Sequence, residues 1–338
     1  MPGVPHVSIV MPVRNAALTL EECLQSILAQ TLTEWELIAV DDDSEDNSPN
    51  LLQETARSDS RIHVLSPGRI GLIAAINLGN ESARADLIAR MDADDLMLPE
   101  RLQKQFDYLC EHLDVELVAS RVQLFPEEQI QSGYREYIRW QNDCLTPKQI
   151  ADHIYLESPL ANPSVMFRKQ LFEQYGGYRD GPFPEDYEFY LRLHQAGVRM
   201  AKLPETLLRW RDSADRTTRT DPRYSRQAFD DIRAEYLAQD PRLHTGRSIV
   251  VWGAGRSTRQ RAANLKVHKI KFAAYIDIDP NKIGQKSLGI PVHPPEWLDR
   301  PDKPFVLNYV ANHGARQQIE AMLHTFGYEI GTDYLPVG

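Results

Sequence analysis

Cysteine is scarce in this chain. Its 338 residues hold three, Cys23, Cys110 and Cys144, and no two form a Cys-x-x-Cys pair. That usage argues against a disulfide framework or a zinc knuckle and fits a reducing compartment. Long apolar runs are missing too, none approaching the ~20 residues of a membrane span. The first residues, Met1-Pro2-Gly3-Val4-Pro5-His6, lead straight into a strand pattern without a signal-peptide layout. These absences together predict a cytoplasmic protein with no transmembrane segment. No internal repeat or low-complexity tract is visible, so solenoid and compositionally biased classes drop out. The length leaves room for two domains.

Charge is unevenly spread. The net value is −10. From Gly246 onward there are 12 Lys/Arg against 8 Asp/Glu, leaving 26 against 40 for the rest. The stretch Gly246 to Tyr275 carries Arg247, Arg256, Arg259, Arg261, Lys266, Lys269 and Lys271 and no acid. Such asymmetry can mark an anionic partner; a solvated helix face gives the same pattern.

The order of apolar runs predicts an alternating α/β chain. Val7 to Val13 is a short apolar run of the kind a buried parallel strand uses. A helix is expected next, because Thr19 to Glu22 has capping-box form and Leu20, Cys23, Leu24, Ile27 and Leu28 share a face. Glu36 to Val40 is a second strand, ending in Asp41-Asp42-Asp43-Ser44. Predicted elements then follow as a helix over 48–57, a strand over 62–65, a helix over 72–83 and a strand ending at Asp92. This order implies a doubly wound, mostly parallel sheet. Ligands of such sheets sit beyond the carboxyl ends of the strands, so Pro12, Asp41 and Asp92 should converge on one crevice. A boundary is expected near Asp240-Pro241, with domains at 1–240 and 246–338. The first is expected to divide into two halves, about 1–125 and about 126–225, where the pattern turns mixed and loop-rich.

The run Met91-Asp92-Ala93-Asp94-Asp95 is the most informative segment. Three carboxylates at the end of a buried strand are costly to leave unpaired. A hard divalent cation such as Mg²⁺ or Mn²⁺ takes oxygen ligands and bridges to phosphates. The run therefore points to a metal–diphosphate site and a nucleotide-activated substrate.

Five segments in order carry a family resemblance: Val10-Met11-Pro12-Val13-Arg14-Asn15; Val40-Asp41-Asp42-Asp43-Ser44; Gly71-Leu72 through Asn77-Leu78-Gly79; Asp92-Ala93-Asp94-Asp95; and Pro184-Glu185-Asp186-Tyr187-Glu188. Together they resemble family 2 glycosyltransferases of the GT-A fold. The resemblance implies an inverting, metal-dependent transfer of a hexose or N-acetylhexosamine from a UDP-sugar to an acceptor hydroxyl. It implies that Asp41 or Asp42 accepts the uracil N3–H, with Pro12 and Val13 as the apolar base pocket. Arg14, Arg69 and Asn77 join the nucleotide-sugar contacts. Asp94 is implied as a metal ligand, with Asp92 beside it on the ribose side and Asp95 supporting the loop. The general base is implied within Glu185-Asp186, with Asp186 preferred. Relatives often carry Arg-x-His after the Pro204-Glu205-x-x-Leu208 element, whereas this chain reads Arg209-Trp210-Arg211-Asp212. Arg209 or Arg211 is the candidate replacement as diphosphate contact.

The tail begins a second βαβ pattern: Ser248 to Trp252, the turn Gly253-Ala254-Gly255, a basic helix, and Phe272 to Ile276 ending at Asp277. Gly253, Gly255 and Asp277 outline a possible ligand site. The third glycine of the dinucleotide fingerprint is missing, with Thr258 in its place, so NAD is weakly supported. The domain combination also resembles the queuosine-tRNA galactosyltransferase family, formerly β-1,3-N-acetylglucosaminyltransferase-like protein 1, through Asp277-Ile278-Asp279-Pro280-Asn281-Lys282 among other segments. Two acceptors follow: a saccharide or glycoconjugate, and a queuosine-type tRNA nucleoside. Two other classes stay open, a nucleotide-sugar-binding regulator or inactive relative, and NAD binding in the tail.

Overall fold

The computed structural model describes residues 4–213, 216–310 and 313–338. Its contacts divide the chain into two compact units. One comprises Met1–Pro147, Pro159–Gly181 and Glu185–Asp221; the other Lys148–Ser158, Pro182–Pro184 and Pro222–Gly338.

The first unit is organised by its most apolar strands. β1 (Val7–Val13) and β2 (Trp35–Asp41) are buried at every position, as strands covered on both faces must be. β3 (Ile62–Leu65), β4 (Leu87–Arg90), β5 (Leu96–Met97), β6 (Leu117–Phe125), β7 (Met166–Arg168) and β8 (Met200–Arg211) complete the sheet. The order is β3-β2-β1-β4-β7-β6-β8-β5. β1, β2, β3 and β4 run parallel, as do β6 and β8; β7 and β5 run against their neighbours. This is the α/β, mostly parallel sheet that the strand–helix alternation predicts, in the GT-A-like arrangement that the family resemblance implies.

Helices close both faces. Leu20–Leu28 buries Leu20, Cys23, Leu24 and Ile27, the predicted face. The capping box does not form. Thr19 occupies the N-cap without capping the helix, and its hydroxyl instead donates to the carbonyls of Ala16 (3.3 Å) and Ala93 (3.2 Å). The helix Leu72–Ser82 crosses β1 closely: a Cβ on Gly79 would lie 2.5 Å from Val10 Cγ1. Each fully buried Val, Leu or Ile in this core contributes about 1.5–3 kcal/mol.

The second unit carries its own sheet of β9 (Ile249–Trp252), β10 (Phe272–Ile276), β11 (Lys286–Ser287), β12 (Ile290–His293), β13 (Phe305–Asn308) and β14 (Tyr334–Pro336). Its order is β11-β12-β10-β9-β13-β14. Only β11 is antiparallel to its neighbour. A separate core gathers Val250, Trp252, Ile276, Val306, Leu323 and Tyr328. The helix Arg226–Leu237, which the sequence puts before the expected boundary, groups with this unit. Asn264 of the helix Arg256–Val267 donates to its Asp231 at 3.2 Å. No helix among the described residues is long and apolar enough to cross a membrane.

Candidate active site

Strand register brings the predicted residues together. Val13 of β1 pairs with Asp41 of β2, and Val10 with Arg90 of β4. The carboxyl ends of three neighbouring parallel strands therefore open side by side. Pro12 and Val13 are buried there.

The two aspartates at the carboxyl end of β2, Asp41 within it and Asp42 just after it, differ in their commitments. Asp42 is buried, and its Oδ1 accepts the backbone N–H groups of Ile70 (2.6 Å) and Gly71 (2.8 Å). Arg14 donates to the Asp42 carbonyl at 2.7 Å and lies 3.8 Å from Oδ2. Asp42 therefore staples two loops together. Gly71, at φ 86°, permits the entry into the next helix. Among the described residues the Asp41 carboxylate makes a single long contact, from Ser44 N at 3.3 Å. Arg69 is exposed on the stapled loop. Asn77 does not face this crevice freely: its amide both donates to Tyr178 O (2.8 Å) and accepts from Tyr178 N (2.9 Å).

Asp92, Asp94 and Asp95 offer carboxylate oxygens within 4.8 Å of one another. Asp92 pairs with Arg90 at 2.6 Å. Asp95 is completely buried; its Oδ1 accepts the Arg211 backbone N–H at 2.7 Å, and its Oδ2 has no hydrogen-bond partner. Burial and the neighbouring Asp92 push Asp94 up to about 6. Burial and Asp94 raise Asp95 well above the carboxylate range. Hard oxygen donors, an orphaned buried carboxylate oxygen and mutually repelling charges together fit a divalent cation. The loop is held from below. Cys23 Sγ lies 3.5 Å from Asp92 O. Arg101, fully buried, donates to Arg90 O at 2.8 Å. Burial lowers Arg101 to about 9.

The Glu185-Asp186 pair opens the helix Glu185–Gln195. Asp186 Oδ1 accepts the Tyr187 N–H at 2.7 Å. Burial first, then Glu185 and Asp92, raise Asp186 to about 7. The charge of Asp92 thus reaches Asp186, and that of Glu185 reaches Arg90. Beneath them Tyr178 and Tyr190 both donate to Asn162 Oδ1, at 3.0 and 2.9 Å.

Arg209 and Arg211 have other partners. Arg211 donates through Nε to Asp94 O (2.7 Å) and through NH2 to Glu22 (2.8 Å). Arg209 lies over the Phe125 ring at 4.5 Å. Two arginines escaped the sequence reading. Arg90 is one, buried between donor-side and base-side acids. Arg216 is the other: it donates to Tyr134 OH at 2.7 Å, lies over Trp210 at 4.5 Å, and its charge acts on Asp94 and Asp95. Only the position of Arg90, two residues before Asp92, could have drawn attention to it; Arg216 sits in a polar run without periodicity.

In the second unit Asp277 is fully committed. Its Oδ2 accepts from Ala254 N (2.8 Å) and Lys282 (3.1 Å), and its Oδ1 from Asp279 N (2.9 Å). Gly253 adopts φ 101°, and a Cβ there would lie 2.9 Å from Thr258 Oγ1. The carboxylate that would read a ribose instead secures the turn.

The family model for glycosyl transferase family 2 matches residues 8–176. An uncharacterized glycosyltransferase of Haemophilus influenzae is 28% identical over 224 residues, covering 64% of this chain and 69% of that protein. The amylovoran biosynthesis glycosyltransferase AmsE of Erwinia amylovora is 31% identical over 198 residues, covering 58% and 71%. Among solved structures, S. aureus TarS 1-349 in complex with UDP-GlcNAc aligns with a TM-score of 0.54 at 15% identity, covering 77% of this chain and 79% of that one. With half of its length inside the family model and that model's fold around its acidic crevice, this chain belongs to glycosyl transferase family 2 and is a glycosyltransferase.

Proposed function

We propose that the enzyme transfers a hexose or N-acetylhexosamine from a UDP-sugar to an acceptor hydroxyl, with inversion at the anomeric carbon. The observation that carries this reading is the acidic cluster beyond β4, where Asp92, Asp94 and Asp95 offer carboxylate oxygens within 4.8 Å of one another and Asp95 Oδ2 is left without a partner.

Asp41, the less committed of the pair at the end of β2, accepts the uracil N3–H between Pro12 and Val13. Asp42 and Arg14 hold the loop that shapes this pocket, and Arg69 flanks the nucleotide. Asn77 supports the Tyr178 backbone and leaves the contact set. Asp92 meets the ribose side. Asp94, with Asp92 and the unpartnered Oδ2 of Asp95, would hold Mg²⁺ or Mn²⁺, which offsets charge gathering on the leaving diphosphate. Arg211 holds Asp94 and Asp95, so Arg216, whose charge acts on both carboxylates, would be the cation facing a diphosphate in place of Arg209 and Arg211. Asp186 takes the acceptor proton as the acceptor oxygen bonds to the anomeric carbon and the carbon–phosphate oxygen bond breaks. Glu185 beside it keeps its affinity for that proton high.

Two acceptors remain: a saccharide or glycoconjugate, and a queuosine-type tRNA nucleoside, which the basic stretch 247–271 favours. A tRNA acceptor makes turnover fall steeply with salt; a saccharide leaves it nearly flat. The deciding experiment supplies a panel of UDP-sugars with Mn²⁺ to the full chain and follows sugar transfer to tRNA and to oligosaccharides. Donor-dependent transfer to either class supports the reading. Tight binding of every UDP-sugar without transfer or hydrolysis would favour the regulatory alternative.

A further inference from the structure

The second unit contains a polar site that the transfer reaction does not use. Its chain passes from β9 to β10 on one side, while β13 lies against β9 on the other. The gap beyond the carboxyl ends of β9 and β13 is therefore a topological switch point, where open α/β sheets bind ligands. The Gly253-Ala254-Gly255 turn ends there and starts the twelve-residue helix Arg256–Val267, whose N-cap Gly255 supplies no side-chain cap. The first N–H groups of that helix are left to outside acceptors.

A second, independent feature lies at the same edge. Arg261 is 9% exposed. It reaches the end of β13, where NH2 donates to Tyr309 O at 2.6 Å. Its Nε and NH1 are buried without a hydrogen-bond partner. Asn308, last residue of β13 and in register with Trp252, is 1% exposed and has an unpartnered Nδ2. Unsatisfied buried donors cost about 1–3 kcal/mol each, more for a charged group. Every unmet group named here is a donor. The carboxylate at this crest, Asp277, already accepts from Ala254, Asp279 and Lys282, and Arg256 is exposed at the helix start.

We propose that this crevice binds an oxygen-rich anion of the phosphate class, held by Arg261 and the helix N–H groups after Gly255. The commitment of Asp277 argues against a ribose-reading dinucleotide site, and the carboxylate whose charge acts on Arg261 is Asp230, on the helix Arg226–Leu237. A free phosphate and the phosphate of a mononucleotide share the anion chemistry.

The test uses the full chain in chelator, titrated calorimetrically with inorganic phosphate and then with AMP, which lacks the uracil that the first unit is proposed to read. Saturable phosphate binding is expected. Binding that is tighter for a mononucleotide identifies the nucleotide as the source; equal affinity identifies free phosphate. Arg261→Met should weaken binding about tenfold or more, and Asp94→Ala, in the other unit, should leave it unchanged. Gly255→Asp provides a variant that stays folded, since aspartate is a favoured N-cap and no atom crowds a Cβ there; it should abolish binding by taking the N–H groups and repelling the anion. No binding by the wild type overturns the proposal. So does equal binding by wild type and Gly255→Asp, or loss of binding in Asp94→Ala. None of these outcomes bears on the transfer activity, so the two readings fail separately.

Discussion

The two sheets pose the same problem and answer it oppositely. Each has a buried central strand, a turn at its carboxyl end and an aspartate at the end of the neighbouring strand: Asp41 beside β1, Asp277 beside β9. In the first unit stapling falls to Asp42, one residue on, and among the described residues the Asp41 carboxylate is left with a single 3.3 Å contact. In the second unit Asp277 itself holds the turn, with three donors. The orphaned groups follow suit. The first crevice has an unpartnered carboxylate oxygen on Asp95 as well as an unpartnered Nε on Arg90; the second, at Arg261 and Asn308, has unpartnered donors. A shared topology thus leaves one unit calling for cations and N–H groups and the other for anions.

Substitutions can break this contrast. The largest effect is expected from Asp186→Asn, which removes the base: turnover should fall by about 10²–10⁴-fold while UDP affinity, measured by calorimetry, holds. Next, Asp94→Ala should abolish the Mn²⁺-dependent part of UDP binding. Arg90→Met removes the partner of Asp92 and should lower metal-dependent affinity by about 10–100-fold, checked by the same titration. Asp277→Ala should do the reverse of Asp41→Ala. It should cost about 1–3 kcal/mol of stability by freeing Ala254 N and Lys282 and leave transfer intact, whereas Asp41→Ala should weaken UDP binding with little change in denaturation midpoint.

A smaller effect is expected with pH. Asp94 and Asp95 bind protons more tightly folded than an exposed aspartate does. The folded state therefore holds more protons between about pH 4 and 6, and metal-free stability falls as pH rises through that window. Adding Mn²⁺ should raise the melting temperature more at pH 7 than at pH 5. Equal stabilisation at both values would mean that these carboxylates are not the ligands. Turnover should rise with pH through about 7 as Asp186 loses its proton.

Much of the first unit is legible in the chain. β1 and β2 are continuous apolar runs ending at Pro12-Val13 and Asp41, and buried parallel strands leave that trace. The acidic run after β4 is visible because carboxylates seldom follow a buried strand. What escaped depends on long-range contacts. Thr19 has capping-box spacing, yet its hydroxyl serves Ala93, 74 residues away. Asn77 lies in a nucleotide-like motif but is claimed by Tyr178, 101 residues on. Arg216, whose charge acts on the acidic loop, is held by Tyr134, 82 residues earlier in the chain. The helix Arg226–Leu237 has an apolar face that its periodicity reveals, but not the unit against which that face packs.

The most direct test pairs two measurements on Asp186→Asn: UDP affinity in Mn²⁺ by calorimetry, and sugar transfer from the preferred donor at pH 8. The account predicts wild-type affinity with transfer reduced at least about 100-fold. Full transfer at wild-type affinity would contradict it, and the proton would have to leave by another group.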